Sequence, residues 1–101
     1  MRDDSDLVAS ARAGDRGAFA RIVERYQALV CAIAYSGTGD VGLSQDIAQD
    51  TFLAAWKGLH TLSEPERLRA WLAGIARNLV HGARRGRARE RAASQPLEAA
   101  A

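Results

Sequence analysis

Apolar residues between positions 19 and 33 recur every three or four residues, and this spacing constrains the fold more than any other feature of the sequence. An α-helix gathers such positions on one face, whereas a half-buried strand would need an apolar residue at every second position. Asp15 precedes the segment as a potential N-cap, and Gly37 and Gly39 follow it as breakers, so we expect one helix of about five turns. Its apolar stripe comprises Phe19, Ile22, Val23, Tyr26, Leu29, Val30 and Ile33.

Two further segments carry the start and stop signals of helices. The first is short and runs from Asp6, a potential N-cap, to a stop at Gly14. The second begins after Asp40 or Ser44 and fades at Gly58. When the second segment is plotted as a helix at about 100° per residue, its apolar side chains gather on one face, which we expect to pack inward. That face comprises Ala48, Phe52, Ala55, Trp56 and Leu59.

The last helix is expected to begin near Pro65. A proline is tolerated in the first turn of a helix, because its missing N–H would have no partner there. Ser63 and Glu66 have the spacing of a capping box, and the pattern continues to about Gly86. The predicted buried stripe comprises Leu68, Trp71, Leu72, Ile75, Leu79 and Ala83.

Together these segments predict an all-α fold, a compact bundle of about four helices over residues 1–91. The 101 residues are 48% hydrophobic, which suffices for one small core. The longest apolar run falls far short of the roughly 20 residues that cross a bilayer, and the acidic N-terminus lacks a secretory signal. Cys31 is the single cysteine, which excludes an internal disulfide and suits a reducing cytoplasm. We expect a soluble, cytoplasmic protein with no membrane partner.

The sequence contains no recognisable catalytic or metal-binding set. No nucleophile, base and orienting group come together, and no glycine-rich phosphate loop follows a strand. His60 and His81 lack the spacing and the Cys or carboxylate partners of a metal site. We therefore expect no enzyme activity, no cofactor and no metal.

Positive charge is concentrated in one part of the chain. Residues 1–66 contain six basic and ten acidic side chains, whereas residues 67–91 contain eight arginines and one glutamate. A segment this basic can hold a polyanion, although arginines near a helix C-terminus are also common solvated groups that complement the helix dipole. Opposite the predicted stripe, the arginines are accompanied by small residues and by side chains that can read bases. That face comprises Ala70, Ala73, Gly74, Arg77, Asn78, His81, Arg84 and Arg85.

A large apolar residue, Leu53, lies on the charged face of the helix that ends at Gly58. Interfaces often place an apolar anchor among polar groups that fix orientation, so this face is a candidate docking surface. The alternative is a single exposed leucine, which is common on soluble proteins. The neighbours of Leu53 on this face are Asp46, Gln49, Asp50 and Lys57.

Two sequence blocks occur together and in order: GLSQDIAQDTFLAAWKGLHTL, then LRAWLAGIARNLVHGARR. The pair resembles the second conserved region of bacterial sigma factors, in particular the small extracytoplasmic-function group. The similarity extends from about Asp6 to Arg91. It implies a transcription initiation factor domain.

The resemblance also implies roles for both candidate surfaces. The helix that carries Leu53 would dock on the coiled-coil clamp helices of the RNA polymerase β′ subunit, through Asp46, Gln49, Asp50 and Leu53. The loop from His60 to Arg67 would shape a pocket for a base flipped out of the minus-ten promoter element, on the non-template strand. The residues that would contact this strand are Arg67, Arg69, Arg77, Asn78, His81, Arg84 and Arg85.

The chain departs from the family pattern in three respects. Gln45 replaces an acidic residue that many members carry, which is either a tolerated substitution or a loss of charge that phosphorylation of Ser44 or Thr51 would restore. No Phe, Tyr or Trp lies in the loop from His60 to Arg67. Members usually have a second helical domain, and we expect residues 92–101 to be the start of an interdomain linker or a disordered tail.

Two other functions are compatible with the sequence. One is a sigma-like interaction module that mainly binds an anti-sigma factor or another regulatory protein. A generic basic helix would instead bind any nucleic acid, with a steep salt dependence and no base selectivity.

Overall fold

The structure, a computed structural model, describes residues 3–100 and contains four α-helices and no strand in that range. This confirms the predicted all-α fold. Two short 3₁₀ turns, Leu59–Thr61 and Pro65–Arg67, lie in the connection between the third and fourth helices, which we call the α3–α4 loop (residues 59–67). The helices are α1 (Asp4–Arg12), α2 (Arg16–Thr38), α3 (Val41–Gly58) and α4 (Leu68–Ala100).

An aspartate caps the N-terminus of each of the first three helices. The carboxylates of Asp3, Asp15 and Asp40 accept the N–H of a residue three positions further on, at 2.9, 3.1 and 2.9 Å. Each such cap contributes about 1 kcal/mol. The predicted cap at Asp6 is wrong, because α1 begins one turn earlier and Asp6 lies in its first turn.

Helix α2 ends where the glycines predict a break. Gly39 adopts the left-handed conformation, with φ of 66°, and its N–H donates to the Tyr35 carbonyl oxygen at 2.7 Å. A residue with a side chain rarely adopts this φ, so Gly39 provides the C-cap. Gly37 remains inside the helix, where it faces α4.

Helix α4 departs from the prediction at both ends. Ser63 and Glu66 form no capping box; instead Pro65–Arg67 forms a 3₁₀ turn without a side-chain cap, and α4 begins at Leu68. The helix also continues past Gly86, since the alanines and arginines that follow are strong helix formers. The domain boundary after residue 91 stays a prediction.

All four helices contribute to the main hydrophobic core. The core joins α1, α2, α3 and α4 to the buried leucines of the α3–α4 loop, and a smaller cluster of Ala34, Ile47 and Val80 lies next to it. Within the described residues, no helix is long and apolar enough to cross a bilayer. Fully buried side chains of the main core include Leu7, Val8, Ile22, Val30, Leu68 and Leu72.

The buried face of α4 is broader than its large apolar residues predict. Ala73, expected on the exposed face, is 6% exposed, and Ala76 and Val80 are buried as well. Trp71 and Ile75, expected in the stripe, are only partly buried. Helix α4 packs against both α2 and α3, so small residues such as Ala73 and Ala76 are buried together with Leu68 and Leu72.

Helices α2 and α4 meet most closely at Gly37 and Val80. A Cβ built on Gly37 would overlap the Val80 Cγ1 atom. The backbone of α2 can therefore approach α4 only because residue 37 has no side chain. This crossing positions the basic part of α4 against α2.

Candidate functional site

The outer face of α3 exposes all four residues predicted to dock on polymerase. Asp46, Gln49 and Asp50 are exposed, and Leu53 is 51% exposed. The apolar side chain thus lies at the surface among polar groups, as the helical plot predicts. Burial of Leu53 and Asp50 would have contradicted the assignment of this face.

A largely apolar groove of about 690 Å³ runs between α2 and α3, beside that face. Gln49 and Leu53 form part of its wall, whereas Asp46 and Asp50 lie outside it. The groove was not predicted, because it depends on how far apart α2 and α3 lie. The other lining residues are Arg16, Phe19, Val23, Gln27, Cys31, Gln45, Ala48, Phe52 and Trp56.

Trp56 belongs to this groove and not to the core. It was expected to face inward, but it is 39% exposed. Its ring meets Phe19 edge-on, with centroids 5.0 Å apart and planes at 66°. The contact fixes the indole at the edge of the groove, next to Leu53. A tryptophan three positions after an exposed leucine was the signal in the sequence, because residues three apart are neighbours on a helix.

The hydroxyl groups of Ser44 and Thr51 are buried within α3. Ser44 is 6% exposed and donates to the Val41 carbonyl oxygen at 2.8 Å, and Thr51 is 0% exposed and donates to the Ile47 carbonyl oxygen at 2.7 Å. Burial of both hydroxyls in the folded domain disfavours the hypothesis that phosphorylation restores charge to this face.

A second groove, of about 440 Å³, lies between α2 and α4. Arg77, His81 and Arg84 line it from α4, which brings together three of the predicted DNA-binding residues. Ser36 and Gly37 line it from α2, and sequence reasoning missed both because only the helix crossing places them there. The result is a cationic groove with small residues on its opposite wall.

The remaining predicted DNA-binding residues are exposed outside that groove. Asn78 and Arg85 are on α4 but do not line it. Arg67, on the α3–α4 loop, forms an ion pair with Glu64 at 2.9 Å in which both side chains are more than half exposed. Arg69 lies close enough to Tyr26 for the two side chains to interact electrostatically. The predicted set therefore spreads over a wide surface, with one compact centre.

A buried tyrosine ties α2 to the start of α1. The Tyr26 hydroxyl donates to the Asp4 carboxylate, which also pairs with Arg25 at 2.8 Å. Burial raises the pKa of Tyr26 to about 12, and the hydrogen bond and the charge of Asp4 act in the same direction. This cluster holds α1 against α2.

One arginine of the basic segment stabilises the fold through contacts with the turn between α2 and α3. Arg87 donates to the Asp40 carboxylate at 3.1 Å and to the Thr38 carbonyl oxygen at 3.5 Å. The Leu43 N–H, and then Arg87, hold the pKa of Asp40 below its usual value. Arg87 thereby anchors α4 to the turn between α2 and α3, so part of the basic charge is already neutralised.

The described residues hold no group of three or more His, Cys, Asp or Glu side chains that could bind a metal ion.

The α3–α4 loop is anchored by Leu59 and Leu62, which are 3% and 5% exposed. After Leu62 the loop exposes Ser63, Glu64 and Glu66. The candidate site therefore consists of two surface regions. One is the apolar groove between α2 and α3, and the other is the cationic surface of α4.

Three sigma factors contain segments similar to this chain. A probable RNA polymerase sigma factor, RfaY, of Xanthomonas campestris pv. campestris is 47% identical over 70 residues, or 69% of this chain. The ECF RNA polymerase sigma factor BldN of Streptomyces coelicolor is 37% identical over 74% of the chain. The ECF RNA polymerase sigma factor SigW of Bacillus subtilis is 32% identical over 72% of it.

The chain spans only part of each relative, since the matched segments cover 18%, 29% and 39% of their lengths. Residues 22–90 match the family model for Sigma-70 region 2. The match includes α3, the α3–α4 loop and the basic part of α4, which carry every predicted site residue. The chain therefore belongs to the sigma-70 region 2 family, as a region 2 domain of the extracytoplasmic-function type.

Proposed function

We propose that this domain is part of a transcription initiation factor that binds core RNA polymerase through α3 and the minus-ten promoter strand through α4. The observation that carries the proposal is the division of the surface. An apolar groove flanked by Leu53 lies between α2 and α3, and a cationic groove lies between α2 and α4. One protein partner and one polyanionic partner can bind these surfaces at the same time.

The α3 surface has the composition of a protein interface. Leu53 and Trp56 expose large apolar area beside Gln49, while Asp46 and Asp50 supply acidic groups at the rim. Apolar anchors surrounded by polar groups provide most of the binding free energy at such interfaces. We assign this surface to the β′ clamp helices, as the family resemblance implies.

The α4 surface suits single-stranded DNA. Arg77 and Arg84 offer forked donors for phosphate oxygens, and His81 lies between them in the same groove. Asn78 and Arg85 extend the polar surface along the helix. The domain needs no ATP to help melt the promoter, because a pocket that binds only an extruded base offsets the few kcal/mol that unstacking costs.

Two variants that separate the surfaces test the proposal. Leu53→Asp should lower affinity for core polymerase at least about tenfold and leave binding to minus-ten single strands unchanged. The double variant Arg77→Glu, Arg84→Glu should do the reverse. Binding to core polymerase and to a minus-ten oligonucleotide selected on the wild-type chain is measured by fluorescence anisotropy. Arg21→Glu, a single charge reversal at an exposed position on α2, is the control.

The salt dependence of oligonucleotide binding gives an independent measure. Each arginine–phosphate contact that is lost should reduce the slope of log K against log salt by about 0.7 for a single strand. DNA binding by the Arg77 and Arg84 double variant equal to that of wild type would reject the DNA role. Core binding by Leu53→Asp equal to that of wild type would reject the docking role.

A protein regulator is the second candidate partner, and the exposed apolar groove between α2 and α3 favours it. An anti-sigma factor that covers this groove would exclude polymerase from Leu53 and Trp56. In this alternative the domain binds a regulator and shows no base preference on DNA. Oligonucleotide selection distinguishes the two, because only the initiation-factor proposal expects an enriched sequence.

A further inference from the structure

We propose that Arg12, at the end of α1, positions the α3–α4 loop for base capture. The inference depends on the proposed function, in which this loop shapes the pocket for the extruded base. Arg12 lies before residues 22–90, the part of the chain that matches the family model. Its side chain nevertheless reaches the loop from 47 and 50 residues earlier in the sequence.

The contact is a fork on two loop carbonyls. Arg12 Nε donates to the Leu59 carbonyl oxygen at 3.1 Å, and the terminal Nη2 donates to the Leu62 carbonyl oxygen. The Leu62 N–H in turn donates to the Leu59 carbonyl oxygen at 3.3 Å. One guanidinium therefore joins both ends of the 3₁₀ turn that follows α3.

The two carbonyls that Arg12 binds lie directly before the exposed part of the loop, so the contact can orient that part. Leu59 and Leu62 are buried, whereas Ser63, Glu64, Glu66 and Arg67 are exposed. The Arg67 N–H donates to the Glu64 carbonyl oxygen at 2.8 Å, and the turn Pro65–Arg67 also contacts α1 and α4. The direction in which the chain leaves Leu62 thus contributes, together with these helix contacts, to where residues 63–67 lie. Arg12 fixes this direction by holding the last carbonyl before the exposed segment.

The electrostatics favour a cation at this place. Carbonyl groups at the C-terminus of a helix lack partners within the helix and carry partial negative charge. Leu59 directly follows the last residue of α3, so Arg12 adds a charged donor to a carbonyl at that end, beside the Leu62 N–H. A planar guanidinium can bond two carbonyls at once, whereas a lysine ammonium acts as a single compact charge. The geometry therefore requires arginine and not merely a positive charge.

Base capture depends on such pre-organisation. The loop contains no Phe, Tyr or Trp that would stack on a base, and apart from the His60 ring its selectivity must come from polar groups held in fixed positions. A loop that samples several positions would still allow α4 to bind phosphates. Loss of Arg12 should therefore reduce discrimination between bases more than it reduces overall affinity for DNA. Arg12 is a positioning residue in this scheme and does not touch the base.

The test compares Arg12→Ala and Arg12→Lys with Arg21→Ala, which removes one positive charge from an exposed site on α2. Amide hydrogen exchange is measured without DNA. Both Arg12 variants should raise exchange in the α3–α4 loop about tenfold, while the buried parts of α3 and α4 keep wild-type protection. Arg21→Ala should change neither. Arg12→Lys keeps the charge, so it remains informative if Arg12→Ala folds poorly.

The second measurement is base discrimination on single-stranded oligonucleotides that carry each of the four bases at the selected position. Both Arg12 variants should reduce the ratio of affinities about tenfold and leave core polymerase binding unchanged. Full discrimination by Arg12→Lys would show that charge alone matters and would overturn the inference. Unchanged loop exchange, or raised exchange without loss of discrimination, would overturn it too. A wild-type chain without base preference would instead refute the proposed function.

Discussion

Replacement of Gly37 by alanine tests the packing that places the basic part of α4 against α2. The new Cβ would overlap Val80 Cγ1 and would lie 3.3 Å from Cγ2. Valine in a helix has one strongly preferred χ1 rotamer, so Val80 cannot rotate its methyl groups away without strain. Either α4 shifts outward or the side chain leaves its rotamer.

The expected change in the free energy of unfolding is the difference of two terms. Overpacking of a tight contact typically costs about 1–3 kcal/mol. Alanine is a better helix former than glycine by up to about 1 kcal/mol, and less in the last turn of α2. The net effect of Gly37→Ala is therefore a destabilisation of about 1 kcal/mol, which lowers Tm by roughly 4–8 °C for a domain of this size.

A matched glycine provides the control. Gly82 lies on α4 with no atom within 4 Å of a Cβ built on it. Gly82→Ala gains the helix propensity without the overlap and should stabilise the protein by about 0.5–1 kcal/mol. Urea denaturation followed by far-UV circular dichroism measures both variants. Opposite signs are expected.

Removal of the opposing side chain completes the test. Val80→Ala leaves room for a Cβ at residue 37, so the double variant Gly37→Ala, Val80→Ala should be less destabilised than the sum of the two single variants. A coupling of about 1 kcal/mol or more is expected for residues in direct contact. Additive effects, or a Gly37→Ala variant as stable as Gly82→Ala, would refute the close approach of α2 and α4.

Three further outcomes follow from the structure. Because the pKa of Tyr26 is raised to about 12, its contribution to folding stability is complete below about pH 10 and is lost as pH rises through about 12. In urea titrations at increasing pH, Tyr26→Phe should lack this alkaline loss of stability. Because the pKa of Asp40 is lowered, its contribution to folding stability is present at neutral pH and is lost as pH falls below about 4. Asp40→Asn, which keeps a good N-cap, should flatten this acidic part of the curve of stability against pH. An unchanged curve would exclude Asp40 as the source. Gly74→Ala, on the candidate DNA face, should stabilise α4 by about 0.5–1 kcal/mol and weaken binding to the minus-ten oligonucleotide. The control Gly82→Ala should give only the stabilisation. Equal DNA binding by both variants would show that DNA does not approach closely at residue 74.

The local features of the fold were predictable because they depend on neighbours in sequence. The 3.6-residue spacing of apolar side chains identified α2 and α3, and the caps at Asp15, Asp40 and Gly39 followed from their own chemistry. The cap at Asp6 and the end near Gly86 were wrong. Several aspartates competed for the first position, and a single glycine within a run of strong helix formers does not end a helix.

The sequence by itself determined four helices, an exposed Leu53 and a basic last helix, because apolar periodicity and charge distribution depend only on the order of residues along the chain. Only the tertiary structure decided that Trp56 flanks an open groove, that Ala73 is buried, and that Arg12 reaches the loop after α3. Each of these depends on how far apart two helices lie and how they cross. That separation is set by small residues such as Gly37, whose partner across the interface no local pattern reveals.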